Sequence, residues 1–359
     1  MAGGEDAAWM RRALRLASRS AGMTWPNPGV GCVLVRAGMI LGQGRHVCCG
    51  DLHAETAALA DCRARGHDPA GATAYVTLAP CTRHGRQPPC TEALVAARIA
   101  RVVVAVADPA QDDARSVLTA HGIAYDTGVE AAAAAHLHGG FLTRIRLGRP
   151  RFTGKWAMSL DGAIAAADGR GGALSSPLAL AAMRRRRRAC DAILIGAGTA
   201  AVDDPTLLAS TPRRPGPVRV VVSAQGRAAP RLLATIPAAP LWVVHDHRAP
   251  SEALATLACG GARTFAVADA HDPRAVAAVL GAQGLNDVVV EGGAAVHGVW
   301  LRAGLYDRLE VYLAPCVLGG GLPAAVGAGC AVAAAAGYIA EEPPQQLDGT
   351  MRLRLRRRA

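Results

Sequence analysis

Lysine and asparagine are almost missing from this chain of 359 residues. Lys155 is the single lysine among 39 basic residues, and Asn27 and Asn286 are the only asparagines. All the remaining basic charge is arginine, and alanine and glycine are abundant, which marks a drift of composition toward Arg and Ala. A lysine or asparagine kept against such a drift draws attention to its position. Aromatic residues make up only 4% of the chain, so platforms for stacking single-stranded bases are scarce. No apolar run reaches the roughly 18–20 residues of a membrane span. The opening Met1-Ala2-Gly3-Gly4-Glu5-Asp6 lacks the basic-then-apolar order of a secretory signal. The expectation is a soluble cytoplasmic protein with neither a membrane nor a nucleic acid as partner. The formal charge of +11 pulls the other way, but a phosphorylated small molecule accounts for it as well as nucleic acid does.

What is present suits two ordinary α/β domains. Hydrophobic content is 51%. The 10 cysteines are scattered rather than arranged as a disulfide framework, which fits a reducing compartment. Residues 6–20 carry apolar side chains at helical spacing, and Trp25-Pro26-Asn27-Pro28-Gly29 ends that helix. Strands are expected at 30–35, 39–44, 73–78 and 101–106, and helices at 53–65 and 90–98. The Ala-rich stretch 130–138 and Leu147-Gly148-Arg149-Pro150 mark the boundary. A second α/β pattern follows, with strands at 152–158, 192–196, 218–223, 241–245, 287–290 and 308–313 and helices at 273–280 and 294–303.

The chemistry concentrates in His53-Ala54-Glu55, Pro80-Cys81 and Pro88-Pro89-Cys90. One imidazole and two thiols make a three-ligand zinc site with an open fourth position for water, and Glu55 is left over as the acid/base. This is the general layout of zinc deaminases. Cys90 opens a helix, where the dipole favours a thiolate. A purely structural zinc would need a fourth ligand, for which His84 is the candidate. A non-catalytic zinc scaffold and a deaminase of nucleic acid are the readings from other classes. Gly196-x-Gly198-Thr199 and Glu291-Gly292-Gly293 follow strands and would let backbone N–H groups approach a phosphate; tight structural turns explain them equally well. Apart from Arg187, the run Arg184 to Arg188 reads as a solvated helix end, and Arg356 to Arg358 as a solvated tail.

The run Pro26-Asn27-Pro28-Gly29-Val30-Gly31-Cys32-Val33, the His53-Ala54-Glu55 and the segment Thr77 to Cys90 resemble the deaminase half of the bifunctional riboflavin-biosynthesis deaminase–reductase family. Eight residues separate Cys81 from Cys90, unlike the two between the cysteines of tRNA and cytidine deaminases. The second half resembles the reductase part of that family at 155–162, 191–199, 203–207, 290–293 and 312–315. The resemblance implies a zinc-dependent pyrimidine deaminase domain over 1–148, a cytidine-deaminase-like three-layer sandwich. It also implies an NADPH-dependent reductase over 149–359, a dihydrofolate-reductase-like α/β domain. His53, Cys81 and Cys90 would bind Zn²⁺, with Glu55 as proton shuttle and Asn27, Arg86 and Asp108 on the deaminase substrate. Ala157, Thr199, Asp203 and Gly293 would contact NADPH, and Lys155, Asp161, Arg187, Leu207 and Glu291 the reductase substrate. The substrate would be a phosphorylated pyrimidine and the assembly a homo-oligomer. The chain departs from the family pattern at Ala79, Arg83, Ala110, Gly171, Ala173, Ser210 and Ala224, with Arg213 and Arg214 placed to compensate for the arginine expected at Ser210. These departures suit either the riboflavin-type reaction or a divergent copy with another pyrimidine- or pteridine-like substrate or a weakened reductase.

Overall fold

The computed structural model describes residues 2–85, 87–167, 174–209, 216–327, 329 and 337–358. The expectations for Arg86, Gly171, Ala173, Ser210, Arg213 and Arg214 lie outside the described residues. The chain separates into two compact units, Met1–Gly148 and Arg149–Ala359.

The first unit runs α1 (Ala2–Ser18), β1 (Gly31–Arg36), β2 (Met39–Arg45), α2 (Ala54–Ala64), β3 (Thr73–Val76), α3 (Cys90–Ala96), β4 (Arg101–Val104), α4 (Ala114–Ala120), β5 (Ala124–Thr127), α5 (Ala131–Leu137) and α6 (Gly139–Leu147). Its strands lie in the order β2-β1-β3-β4-β5. β1 is antiparallel to β2 and β3, while β3, β4 and β5 are parallel. Alternate residues of a strand face opposite sides of the sheet. Cys32 and Leu34 accordingly join Leu41, Ala58, Leu59 and Leu94 in one core, and Val33 and Val35 join Met10, Ala13 and Tyr75 in another. The result is a three-layer sandwich.

Two glycines seat the helix that carries the site. A Cβ on Gly42 would fall 2.4 Å from the Ala58 carbonyl, and one on Gly44 2.5 Å from that of Ala54. Alternate positions on β2 therefore meet the backbone of α2 with no side chain between them. The Ala-rich stretch, read as part of a boundary, is instead α5, and α6 follows it within the same unit. The chain breaks one residue after Leu147, where Gly148 takes a left-handed φ of 67° and caps α6.

The second unit comprises β6 (Arg151–Met158), β7 (Ala163–Ala166), α7 (Pro177–Arg187), β8 (Ala192–Gly196), α8 (Ala197–Asp203), β9 (Val218–Val222), α9 (Pro230–Ala234), β10 (Leu241–Asp246), α10 (Ser251–Cys259), β11 (Arg263–Val267), α11 (Pro273–Ala282), β12 (Asp287–Val290), α12 (Ala294–Arg302), β13 (Tyr306–Leu313), β14 (Gly321–Pro323), β15 (Tyr338–Ala340), β16 (Gln345–Leu347) and β17 (Thr350–Arg357). Its main sheet has the order β11-β10-β9-β8-β12-β6-β13-β17-β15, with β16 also on β17 and a separate β7–β14 pair. β11 through β13 run parallel, and their inner strands are apolar runs such as Val288-Val289-Val290, as a sheet covered on both faces requires. β17 then pairs antiparallel with β13.

Two arginine segments differ from expectation. Arg356 and Arg357 are exposed, as expected, but they belong to β17 rather than to a tail. The alternation Arg352-Leu353-Arg354-Leu355-Arg356 has the period of a strand, so the signal was there to be read. Within the run Arg184–Arg188, Arg186 and Arg187 turn inward, with side chains 18% and 20% exposed; Arg184, Arg185 and Arg188 are exposed. No described helix is long and apolar enough to cross a membrane.

Candidate active sites

In the first unit, His53 is the extended residue capping α2, and Glu55 follows in the first turn, buried to 3% exposure. β3 ends at Val76, and its exit is tied by Thr77 N–H to the Gly31 carbonyl and by Gly31 N–H to Thr77 Oγ1. That exit leads to Pro80-Cys81, while Cys90 is the first residue of α3. His53 Nδ1 lies 3.5 Å from Cys81 Sγ and 3.4 Å from Cys90 Sγ. The amide of Cys90 donates to Cys81 Sγ at 3.2 Å. The start of α3 thus stabilises charge on Cys81 through its free N–H, where the sequence reading had assigned the benefit to Cys90 itself. Shared hydrogen bonding with Cys90, then with His53 and the Cys90 amide, pulls the Cys81 thiol down to about 4. The Cys90 thiol is pushed up by its bond to Cys81 and by burial.

The donor set fits zinc. The three ligand atoms all lie within 4.8 Å of one another. Bond lengths of about 2.3 Å to sulfur and about 2.0 Å to nitrogen at a tetrahedral angle place N and S about 3.5 Å apart, close to the distances found here. His84 is no fourth ligand: its side chain is 71% exposed and stands 4.0 Å from Glu92. Among the described residues, His53, Cys81 and Cys90 form the one metal-ligating group. Glu55 lies outside that group, and burial pushes its carboxyl up to about 7.

Asn27 reaches this centre through a residue that the sequence reading passed over. Its Nδ2 is 3.3 Å from His46 Nε2, and His46 Nδ1 is 3.0 Å from the Leu52 carbonyl. A carbonyl only accepts, so Nδ1 carries the proton and Nε2 accepts from Asn27. The His46 ring meets His53 edge-on, with centroids 5.4 Å apart. A lone histidine after a Gly-x-Gly-Arg strand end offers no motif spacing; its burial to 2% exposure became visible only in the fold. Asp108 accepts from the Ala110 amide at 2.8 Å, and burial raises its carboxyl above the usual range. The departures Arg83 and Ala110 sit on two loops clasped together by Arg83 and Asp112, bidentate at 2.8 and 2.5 Å.

The second unit gathers Lys155, Arg187 and Glu291. Arg187 donates to both Glu291 oxygens at 3.0 and 2.8 Å, and Lys155 Nζ is 3.6 Å from Glu291 Oε2. Burial opposes ionisation of Glu291, but the charges of Lys155 and Arg187 outweigh it and hold the carboxyl at about 2. With its pKa below the ordinary 4.5, Glu291 adds stability that is full above that value and is lost as pH falls through the range toward 2. Acid titration of a Glu291→Gln variant should therefore show a shallower loss of stability between those values than the parent; equal slopes would contradict the pairing. Leu207 is buried with a φ of 54°, and the neighbouring Leu208 carbonyl accepts from Arg187 at 3.4 Å.

The glycine turns divide between packing and opening. A Cβ on Gly196 or Gly292 would meet Val296 at 2.7 or 2.6 Å, so both allow α12 to pack closely. Gly198 faces open space, and a Cβ on Gly293 would stand 3.0 Å from Thr199 Oγ1. Thr199 and Gly293 thus face each other beyond the carboxyl ends of the adjacent strands β8 and β12, the place where open α/β sheets bind nucleotides. Gly198-Thr199 opens into α8 rather than a loop, and Asp203 ends that helix. Ala157 is half-buried on β6, level with Tyr312. Asp161 is committed to its own chain: it accepts from Ser159 Oγ at 2.5 Å and from the Leu318 and Gly319 amides at 3.1 and 2.9 Å, which hold its carboxyl at about 2. Ala224 lies in the turn after β9, its carbonyl accepting from Asp246.

Fold and sites define a zinc-type deaminase domain joined to a reductase domain. Comparison with known proteins agrees. The cytidine and deoxycytidylate deaminase zinc-binding region matches residues 4–106, and the RibD C-terminal domain matches residues 150–333. The riboflavin biosynthesis protein RibD of Escherichia coli (strain K12) is 38% identical over 334 residues, covering 88% of this chain and 89% of that protein. RibD of Mycobacterium tuberculosis H37Rv is 39% identical over 305 residues, covering 83% and 82%. A crystal structure of a diaminohydroxyphosphoribosylaminopyrimidine deaminase/5-amino-6-(5-phosphoribosylamino)uracil reductase from Thermotoga maritima superposes with a TM-score of 0.89 at 27% identity over 100% of both chains. Acinetobacter baumannii RibD gives 0.88 at 31% identity, over 99% of this chain and 100% of that one.

The chain belongs to the RibD family of riboflavin biosynthesis proteins. It is an enzyme of riboflavin biosynthesis that joins a zinc-binding deaminase domain to an NADPH-using reductase domain. The family, fold class and paired activities expected from the sequence hold, and none of these similarities favours a nucleic-acid deaminase or a divergent pathway.

Proposed function

We propose that residues 1–148 deaminate a diaminohydroxypyrimidine bearing a phosphoribosylamino group, and that residues 149–359 reduce the ribosyl group of the product to a ribityl chain. The Thermotoga maritima neighbour is named a diaminohydroxyphosphoribosylaminopyrimidine deaminase and a 5-amino-6-(5-phosphoribosylamino)uracil reductase, which supports this reading. The observation that carries the reading is the His53, Cys81 and Cys90 group with a buried, unligated Glu55 beside it. His53, Cys81 and Cys90 would hold Zn²⁺, which would act as a Lewis acid and lower the pKa of a bound water toward neutrality. Glu55, poised at about 7, takes a proton from the attacking water and delivers it to the departing amine. Asn27, fixed by His46, and Asp108 orient the pyrimidine.

In the reductase, Lys155 and Arg187 read the ribosyl phosphate while Glu291 holds both cations in place. Leu207 packs beside that site, and Asp161 shapes it through the turn it ties. Thr199 and Gly293, with Ala157 and Asp203 at the margins, would hold NADPH, which would supply the hydride. A cytoplasmic setting agrees with the free state of the nine cysteines among the described residues. Exposed Leu160 and Val317, 58% and 66% open, support a homo-oligomer. Purified protein given the diaminohydroxypyrimidine ribosylamine phosphate and NADPH should release one ammonia for each NADPH oxidised. Ammonia without NADPH oxidation would remove the reductase half of the reading. Sedimentation of the same preparation as a monomer would remove the oligomer.

A further inference from the structure

A row of alternating charge crosses four neighbouring strands of the second unit. Val290 at the end of β12 pairs with Gly154, which brings Glu291 level with Lys155; Lys155 pairs with Glu310 on β13, and Glu310 with Arg354 on β17. Residues level on adjacent strands share a face of the sheet. The row therefore reads Glu291, Lys155, Glu310, Arg354, negative and positive in turn.

The end of α7 lies over this row. Its consecutive Arg186 and Arg187 go to different carboxylates: Arg187 is bidentate on Glu291, and Arg186 Nε stands 3.5 Å from Glu310 Oε2. Glu310 is 3% exposed. It accepts from Tyr312 at 2.5 Å and has Arg354 and Arg352 at 3.8 and 4.0 Å. Further back, α7 packs Ala179, Ala182 and Met183, with Leu180 beside them, against Tyr312. Its start is tied to the sheet by Ser176, which donates from its amide to Thr350 Oγ1 at 3.0 Å and from its hydroxyl to the Leu347 carbonyl at 2.6 Å. The final turn, at the other end of the helix, is held by its two ion pairs.

We propose that Glu310 is a positioning residue of the reductase. By holding Arg186 it fixes the last turn of α7, and that turn seats Arg187 on Glu291 beside Lys155. This rests on the reading of Lys155, Arg187 and Glu291 as the site of the ribosyl phosphate. Glu310 acts through Arg186 and takes no part in the hydride transfer itself.

The test measures steady-state reduction of 5-amino-6-(5-phosphoribosylamino)uracil by the full chain, together with thermal unfolding. E310Q should raise KM for this substrate about tenfold, with kcat and KM for NADPH within about twofold of the parent, because substrate binding alone depends on where Arg187 sits. Deamination should not change. E310Q also leaves Arg186 buried without its carboxylate, which destabilises by itself. The double variant R186L/E310L removes both charges; it should recover the unfolding temperature while KM stays raised, since the last turn of α7 still lacks its ion pair to Glu310. Recovery of KM together with stability would overturn the proposal and leave Glu310 as mere charge compensation. R187A supplies the reference: an unchanged KM there overturns the site reading and this inference with it. A raised KM in R187A beside an unchanged KM in E310Q overturns this inference alone.

Discussion

Replacing Glu55 by glutamine is expected to lower the deamination rate about 10²- to 10⁴-fold, the usual worth of a positioned general acid–base group. Glutamine keeps the shape and one acceptor oxygen but cannot carry a proton. Glu55 is not among the atoms that gather at His53, Cys81 and Cys90, so zinc content measured by elemental analysis should match the parent. The reductase should be untouched, because Glu55 belongs to the other compact unit. A variant that keeps its zinc and still deaminates at the parent rate would exclude Glu55 as the proton carrier. A variant that loses zinc would show that the carboxylate supports the ligands rather than the chemistry.

The second large effect falls on Lys155. Lys155→Met retains the length and apolar stem of the side chain and deletes its charge. Glu291 keeps its bidentate Arg187, so the carboxylate is not stranded and the unit should fold. A hydrogen bond to a charged group is worth about 1.5–3 kcal/mol, so reductase kcat/KM should drop about 10- to 150-fold with deamination unchanged. Arginine is the informative second replacement, since it stands at every other basic position of the chain. A planar guanidinium is larger than an ammonium and spreads its charge, so Lys155→Arg should fail to restore activity. Full activity in Lys155→Arg would mean that charge alone is needed, and that the retention of the chain's single lysine has no functional cause.

How much of this was legible beforehand varied with the kind of signal. His53, Cys81 and Cys90 could be read because metal ligation demands particular residue types at particular places, and such constraints survive a composition biased toward Arg and Ala. The long apolar strands were equally plain: 192–196 and 287–290 have the bounds expected of them. The helices α5 and α8 were not, since alanine-rich segments fit any face and carry no periodicity, and the short helices α4, α6, α9 and α10 went unassigned as well. His46 was missed because its importance lies in two hydrogen bonds across the fold, not in spacing. Arg186 was hidden within five consecutive arginines, where only Arg187 had been singled out, and that by family resemblance. Which of the five turned inward depended on the rotation of α7 over Glu310 and Glu291, a property of tertiary packing.

The contact of β2 with α2 has a consequence for how the deaminase pocket can change. Gly42 and Gly44 put peptide against peptide beneath the helix that bears His53 and Glu55. A side chain at such a contact could be trimmed or enlarged to shift the helix by fractions of an ångström, whereas two backbones offer no such adjustment. The floor of the pocket is thereby closed to gradual substitution, and variation is channelled to the rim. The altered positions Ala79, Arg83 and Ala110 all lie in that rim, on the loops around Cys81 and Asp108, and the Arg83–Asp112 clasp joins those loops. New substrate preferences in this deaminase would be sought by exchanging those loops as a pair, with the helix of His53 and Glu55 left on its glycine bed.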